Sequence, residues 1–369
     1  MTDLARQSHR GVRTRDERLA AALTAIRAGA AARDRSPSPT FPAEAIAQLR
    51  VVDALGFNAW RGSQRPPAAA ELALVRRVAA ADGSVGRIFD GHLNAVERLA
   101  VYGPPALCER ELAAVADGEL LAGVWGGDPV GEEGPPAALA ATRDGEVLRG
   151  VKTFCSGAGG LQRAAVLAAD PSGGPPVLVW IDLTDGRRVS VDTDWYRGAG
   201  LVASVSHRVV FDDAPVIARL GGPGAITHQP WFARDALRTA ASWAGMADTA
   251  ADAALTVLAQ RPRTTELEAL AAGRILTARR TIDAWMDSAA AAMDAPDGDL
   301  AAVSLHGRAA IAAACRELLD EAARACGSHP FARGTDLDRA RRDLELFLLQ
   351  HRLDPLVARA GAAALQERR

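Results

Sequence analysis

"LRGVKTFCSGAGG", residues 148–160, reads as a short strand that runs out into glycines. It is one of a series. "LLAGVWG", "RAAVLAAD", "PPVLVWIDL" and "HRVVFDDAPV" are further short runs set apart by Gly, Pro and Asp. Together they predict an all-β unit of roughly 100 residues over 118–225.

On both sides the pattern changes to helical. Upstream, residues 1–117 carry the Ala-rich amphipathic stretch "RDERLAAALTAIRAGAAARD" and "FPAEAIAQLRVVDALG", with Pro near the first turn and Gly56 at the close. "AAAELALVRRVAAADGS" and "SVGRIFDGHLNAVERLAVYG" follow, broken at Asp82-Gly83, where Asp82 and Ser84 suit a helix cap. Downstream, residues 226–369 hold four or five Ala/Leu/Arg helices broken near "RPRT", "DAPDGD" and "CGSHPFARGTD", which suggests an antiparallel bundle. His329 falls in the last of these breaks as a loop residue. No fixed-period repeat is present. The fold class expected is α+β. It has an N-terminal helical domain (1–117), a central small β-barrel or sandwich domain (118–225) and a C-terminal antiparallel helix bundle (226–369).

Two histidines interrupt apolar helix stripes. In "RRDLELFLLQHRLDP", residues 341–355, Leu344, Phe347, Leu348 and His351 fall at i, i+3, i+4 and i+7, so the segment reads as one helix. Val85, Ile88, Phe89 and His92 repeat the spacing. Each ring is either a core histidine satisfied by hydrogen bonds or one that faces a cofactor or substrate. Arg342 and Asp343 are read as an ion pair orienting the last helices. "GGDPVGEEGPP" lacks the Lys-Ser/Thr and the helix start that a phosphate loop requires.

The bulk numbers exclude several classes. Lys plus Arg is 43 and Asp plus Glu 45, a net charge of −2 that gives no electrostatic case for nucleic acid or anionic membrane. Cys108, Cys155, Cys315 and Cys326 have neither zinc-site nor disulfide-framework spacing. No apolar run approaches the roughly 18 residues of a membrane span. "MTDLARQSHRGVRTRDERL" has no secretory apolar core, so a cytoplasmic protein without a metal is expected.

The order of helices, β unit and bundle, with four short motifs inside it, resembles the acyl-CoA dehydrogenase superfamily. "LRGVKTFCSGAGG" is similar to the family's G-x-K-x-[WF]-[IC]-[ST]-x-G strand. "GLVASVSHRVVFDDAPV" is similar to its V-x-F-x-x-V-x-V strand, with Ala214 in place of one Val. "RDALRTAASWAGMADTAADAAL" looks like the opening of its bundle, and "ACGSHPF…LDRARRD" like its GG-x-G-[FY]…R-x-x-RD segment. The resemblance implies a flavoprotein oxidoreductase with a flavin, FAD or FMN, between the β unit and the bundle. It implies that Trp125 lies beside the isoalloxazine, that Phe154 covers its face and that the Ser156 hydroxyl reaches its N5 edge, where a hydrogen bond steers flavin reactivity.

The departures matter as much. The position eight residues after Asp343, where the dehydrogenases carry a catalytic Glu, is His351. A second location of that Glu corresponds to Leu237 before Arg238. The segment that grips the flavin pyrophosphate across a subunit interface is reduced to "QRPRTTELEALAAGR", leaving Arg261 and Arg263 as candidate phosphate partners. "ADGS…H" in the N-terminal region and a histidine near residue 351 place the resemblance on the side of the two-component flavin monooxygenases. These take reduced flavin from a separate reductase. The leading expectation is such a monooxygenase, with His92, Ser156 and His351 at the reacting face. The alternatives are a dehydrogenase acting on an acyl thioester with a base other than Glu, and a non-catalytic flavin- or partner-binding homologue. A homodimer or homotetramer is expected, because the apolar load of 344–353 is too wide for one buried face.

Overall fold

The computed structural model describes residues 14–60, 65–295, 299–350 and 352–369. His351 lies outside the described residues.

The chain opens with α1 (Arg15–Asp34), whose start is a capping box: Thr14 accepts from the Glu17 amide and the Glu17 carboxylate reaches back to the Thr14 N–H. Then come α2 (Ala43–Val51), α3 (Ala68–Ala81), α4 (Gly83–Tyr102) and α5 (Pro105–Ala116). Asp82 caps α4 by accepting the Val85 amide at 3.1 Å and is itself paired with Arg33 at 2.7 Å, tying α1 to the α4 start.

Among the described residues seven strands follow: β1 (Ala122–Trp125), β2 (Ala138–Thr142), β3 (Gly145–Cys155), β4 (Arg163–Ala168), β5 (Val177–Asp182), β6 (Val189–Asp192) and β7 (His207–Arg219). Their order is β1-β4-β5-β7-β3-β2, with β6 also on β7. Among these strands only the β1–β4 pair is parallel. The long β7 serves two wings. Its first half pairs with β6 and β3, and its second half with β5. Isolated bridges from Gly127 to Thr153 and from Ala138 to Ala169 link the wings again.

The last region holds α6 (Trp231–Ala259), α7 (Glu266–Asp294), α8 (Leu300–Cys326), the single-turn α9 (His329–Ala332), α10 (Asp336–Leu348) and α11 (Asp354–Gln366). His329 is therefore the first residue of a short helix. Leu237, Ala240, Ala241, Trp243 and Ala244 are fully buried, so α6 forms the centre of the bundle. One continuous core runs from α1 through the sheet to α10.

The segment 341–355 is not one helix. The helix α10 stops at Leu348, and α11 begins at Asp354 with proline in its first turn. Leu344, Phe347 and Leu348 are buried, but the stripe ends there and Leu349 is 71% exposed. The physical reason is Pro355: a proline ring fits a first turn and not a helix interior, so the leucine pattern cannot carry the helix through it. Among the described residues no helix is long and apolar enough to cross a membrane.

Candidate functional site

The end of β3 is irregular, and the irregularity places the side chains. The register with β7 shifts between Lys152 and Cys155, and Phe154 adopts φ +53°, a left-handed conformation uncommon for a side chain of its size. The Phe154 ring is thereby turned outward, 60% exposed, in a T-shaped contact with Trp195 at 4.9 Å between centroids. Cys155 and Ser156 turn inward. The Ser156 carbonyl accepts the Trp125 indole N–H at 3.1 Å, and Trp125 is itself buried. Trp125, Phe154 and Ser156, expected together from sequence, are brought together, with Trp125 bracing the Ser156 backbone.

Behind Ser156 runs a file of hydroxyls. Ser156 Oγ lies 2.9 Å from Ser206 Oγ, and Ser206 Oγ lies 2.8 Å from Ser204 Oγ. The Tyr196 phenol donates its proton to the Gly200 carbonyl at 2.8 Å, in the segment that leads into Ser204. Burial and the nearby Asp343 push the Tyr196 pKa upward, so the phenol keeps its proton.

The segment carrying this file is held in shape from α10. Leu201 and Val205 both have positive φ, +52° and +43°, around a single 3-10 turn. The Leu201 amide donates to Asp343 Oδ1 at 2.5 Å, and the Arg342 guanidinium donates to the Ala199 carbonyl at 2.5 Å. Gly200 lies so close to the Arg342 backbone that no Cβ fits between them. Arg342 also pairs with Asp34 and Asp338. Arg342 and Asp343 therefore do not form the expected ion pair with each other; each clamps the 199–201 loop. Burial raises the Asp343 carboxyl to about 7. The Leu201 amide opposes this, and Asp82 and Asp34 add to it.

His92 is fully buried on α4 with both ring nitrogens engaged. Nδ1 accepts the Ala122 N–H at 3.1 Å, so Nε2 carries the proton and donates to the Leu55 carbonyl at 2.9 Å. Burial lowers its pKa to about 4, against the two backbone bonds, so the ring is neutral at pH 7. In this geometry His92 has no free nitrogen; it fixes the start of β1, the strand that ends in Trp125. Arg261 sits in the α6–α7 connection, paired with Glu268 and donating to the Ala325 carbonyl at 2.8 Å, while Arg263 is exposed.

Two groups went unread in the sequence. One is the hydroxyl file. The other is a buried charge cluster on α3, α4 and α6, in which Arg234 bridges Glu71 and Glu97, each at 2.8 Å, and Arg238 pairs with the same two carboxylates. Arg234 and Arg238 at i and i+4, beside the alanines and Leu237 of an Ala-rich helix, were a legible sign of it. Leu237 between them is fully buried and aliphatic.

The architecture, helices then a mixed sheet then a helix bundle, is the acyl-CoA dehydrogenase-like fold. Among solved structures it is shared with FMN-bound TdsC, the dibenzothiophene monooxygenase of Paenibacillus sp. A11-2. That match has 19% identity and a TM-score of 0.83, over 96% of this chain and 97% of that one. The nitrososynthase of Micromonospora carbonacea var. africana matches at 24% identity and TM-score 0.79, over 95% and 96% of the two chains. Methanesulfinate monooxygenase MsuC of Pseudomonas fluorescens matches at 19% and 0.79, over 96% and 98%. No protein-family model and no curated protein matches the chain.

Proposed function

We propose that the protein is a flavin-dependent monooxygenase that receives reduced flavin from a separate reductase and uses O2 to oxidise a small molecule. The observation that carries this reading is the near full-length fold match to an FMN-bound monooxygenase. At the two places where a dehydrogenase would carry its Glu, the sequence has Leu237 and His351.

The residues at the β3 end fit a flavin. Phe154 offers an exposed aromatic ring, and Ser156, two residues on, a hydroxyl held by Ser206. His207, paired in register with Cys155, has a buried Nδ1 without a hydrogen-bond partner among the described residues. A flat ring system with a polar edge suits that combination. Bound there, the flavin would supply the electrons that activate O2. Phe154 would cover the ring, Ser156 would meet its N5 edge, and Trp125 would hold the Ser156 backbone in place. His351 would hold or move a proton near pH 7. His92 would act by positioning β1. FMN is favoured over FAD, because the Arg261 charge is already neutralised by Glu268 within the chain.

A dimer or tetramer belongs to the same reading. Leu267, Leu270 and Leu276 on α7 and Leu349 after α10 are exposed, which suits coverage by a neighbouring subunit. Light scattering at micromolar concentration tests this, and a sharp monomer mass would count against it.

The functional test is a spectrum followed by an oxygen reaction. The purified protein should be colourless and should capture photoreduced FMN without oxygen, then alter its rate of oxidation when oxygen is admitted. A tightly bound yellow flavin that an acyl thioester bleaches anaerobically would overturn the monooxygenase reading in favour of a dehydrogenase.

A further inference from the structure

Among the described residues five arginines are buried: Arg98, Arg234, Arg238, Arg308 and Arg339. Four of them have a carboxylate. Arg98 pairs with Asp235 at 2.5 Å, Arg234 with Glu71 and Glu97 at 2.8 Å, Arg238 with Glu97 at 2.8 Å and Arg339 with Asp336 at 2.9 Å. Arg308, on α8 and 4% exposed, has none among the described residues. Its Nε donates to the Ser304 carbonyl one turn back at 3.0 Å, and its two terminal nitrogens make no hydrogen bond among the described residues. Burial lowers its pKa to about 10 with no opposite charge to resist it, yet the group is still a cation at pH 7. A cation buried without a counter-ion is costly, and a chain that pairs the other four leaves this one open.

The packing of the bundle fixes where Arg308 stands. Helices α6 and α8 run in the same direction, with Ser304 Oγ 3.4 Å from the Ala233 carbonyl and Cys326 Sγ 3.7 Å from the Ala254 carbonyl. Arg308 is thus level with Leu237. Leu319, three turns beyond Arg308 on the same face of α8, accepts from Arg341 of α10 at 3.4 Å. From there α10 runs back toward Arg308, since Phe347 meets the ring of Trp243, a residue level with Ala314, at 6.3 Å. It stops at Leu348, short of Arg308. Arg308 therefore shares its level with Leu237 and lies just past the end of α10, the two places from which a dehydrogenase would present its Glu.

From this geometry we propose that Arg308 recognises an oxyanion, a carboxylate, sulfinate or phosphate group, carried by the small molecule that the enzyme oxidises. The inference rests on the proposed monooxygenase function and adds the charge class of its substrate. A guanidinium meets such a group with parallel N–H donors in one plane. Nε is engaged with Ser304, so the two terminal nitrogens hold the anion. The substrate is thereby oriented by its charged end, and Arg308 receives the counter-ion that the described residues do not supply.

The test uses acetate and its neutral twin acetamide, at an ionic strength kept constant with chloride. The melting temperature of wild type should rise saturably with acetate and not with acetamide. Arg308→Leu removes an unpaired charge, so in chloride it should melt no lower than wild type. Its affinity for acetate should be about tenfold or more weaker, the worth of a hydrogen bond to a charged group. Acetate should also change the rate at which wild type carrying reduced FMN reacts with O2, and should not do so in the Leu variant. A wild type that acetate does not stabilise would overturn the inference and leave the proposed function standing. So would a Leu variant that melts lower and answers acetate as before. Acetate binding that leaves the oxygen reaction untouched would overturn the substrate role, as would a loss of oligomer mass in Arg308→Leu, which would assign the counter-ion to a second copy. If reduced FMN is not captured at all, the proposed function falls and the substrate role with it, and acetate binding, read without flavin, tells the two failures apart. Should Arg308→Leu not fold, Arg308→Lys carries the test: it keeps the charge without the planar fork, and acetate should bind several-fold more weakly.

Discussion

The His92 ring joins two backbone segments: its Nδ1 takes the Ala122 N–H and its Nε2 gives a proton to the Leu55 carbonyl. His92→Ala strands both groups inside the core. Each costs about 1–3 kcal/mol, so denaturant melts at pH 8 should show a loss of about 3 kcal/mol or more. The folded pKa of about 4 lies below the ordinary 6.5, so this stabilisation is complete above 6.5 and fades as pH falls through 4. The gap between wild type and variant should narrow from pH 7 to pH 4.5. A gap that stays constant would mean that the ring titrates normally.

Asp343 has the opposite sign. Its carboxyl is raised from 3.8 to about 7, so the folded protein holds this proton more tightly than the unfolded chain does. The contribution is complete below 3.8 and is lost as pH rises toward 7. Asp343→Asn keeps an acceptor for the Leu201 amide and removes the titration. Between pH 5 and pH 8 wild type should lose about 2–3 kcal/mol relative to the variant. Parallel stability curves for the two proteins would contradict the raised carboxyl.

Glu97 faces Arg234 and Arg238 in the interior. Burial alone would raise its pKa, but the two guanidiniums outweigh that and lower it. Glu97→Ala leaves buried Arg234 with Glu71 and buried Arg238 with Glu71 and Asp235, and should cost about 3–5 kcal/mol in urea unfolding. A double change, Glu97→Leu with Arg238→Met, should recover part of the loss. A single-variant cost under about 1 kcal/mol would imply that water reaches the cluster.

Gly83 lies under Asp343: a Cβ there would stand 2.8 Å from Oδ2 and 3.2 Å from the Met246 methyl carbon. Gly83→Ala should therefore lower the melting temperature, although alanine is ordinarily the better helix former by about 1 kcal/mol. A variant as stable as wild type would show that the α4–α10 contact is looser than this geometry.

His351→Leu separates chemistry from structure. If the imidazole moves a proton in the reaction, product formation with reduced FMN and O2 should fall about 100-fold or more while the melting temperature changes little. A lowered melting temperature with unchanged oxidation traces would assign His351 to the core instead.

The sequence made the secondary structure legible wherever a local signal was strong. The amphipathic stretch read from Arg15 begins where α1 begins, and the glycines after Ser156 mark the end of β3. The short β2 and β6 were missed, because four or five residues with Ala or Asp among them carry little pattern. The leucines after residue 344 overrode the weaker signal of Pro355, so a helix break went unread. In the candidate site, Trp125, Phe154 and Ser156 were legible through a motif. The stripe around His92 was legible too, but the partners of its nitrogens are backbone groups of residues 55 and 122, which leave no trace in side-chain chemistry. Tyr196, Ser204 and Ser206 were invisible for a related reason. Their alignment depends on positive φ at Leu201 and Val205, where no glycine announces it.

The clamp on the 199–201 loop also sets a schedule. Asp343 is 142 positions beyond Leu201. At ordinary rates of translation, roughly 5–20 residues per second, the ribosome reaches Asp343 about 7–30 s after Leu201. Through that interval the loop must wait without its anchor, although the strands on either side have already been made. The hydroxyl file can lock only when synthesis is nearly complete, so a nascent chain should acquire its sheet well before it acquires a finished site.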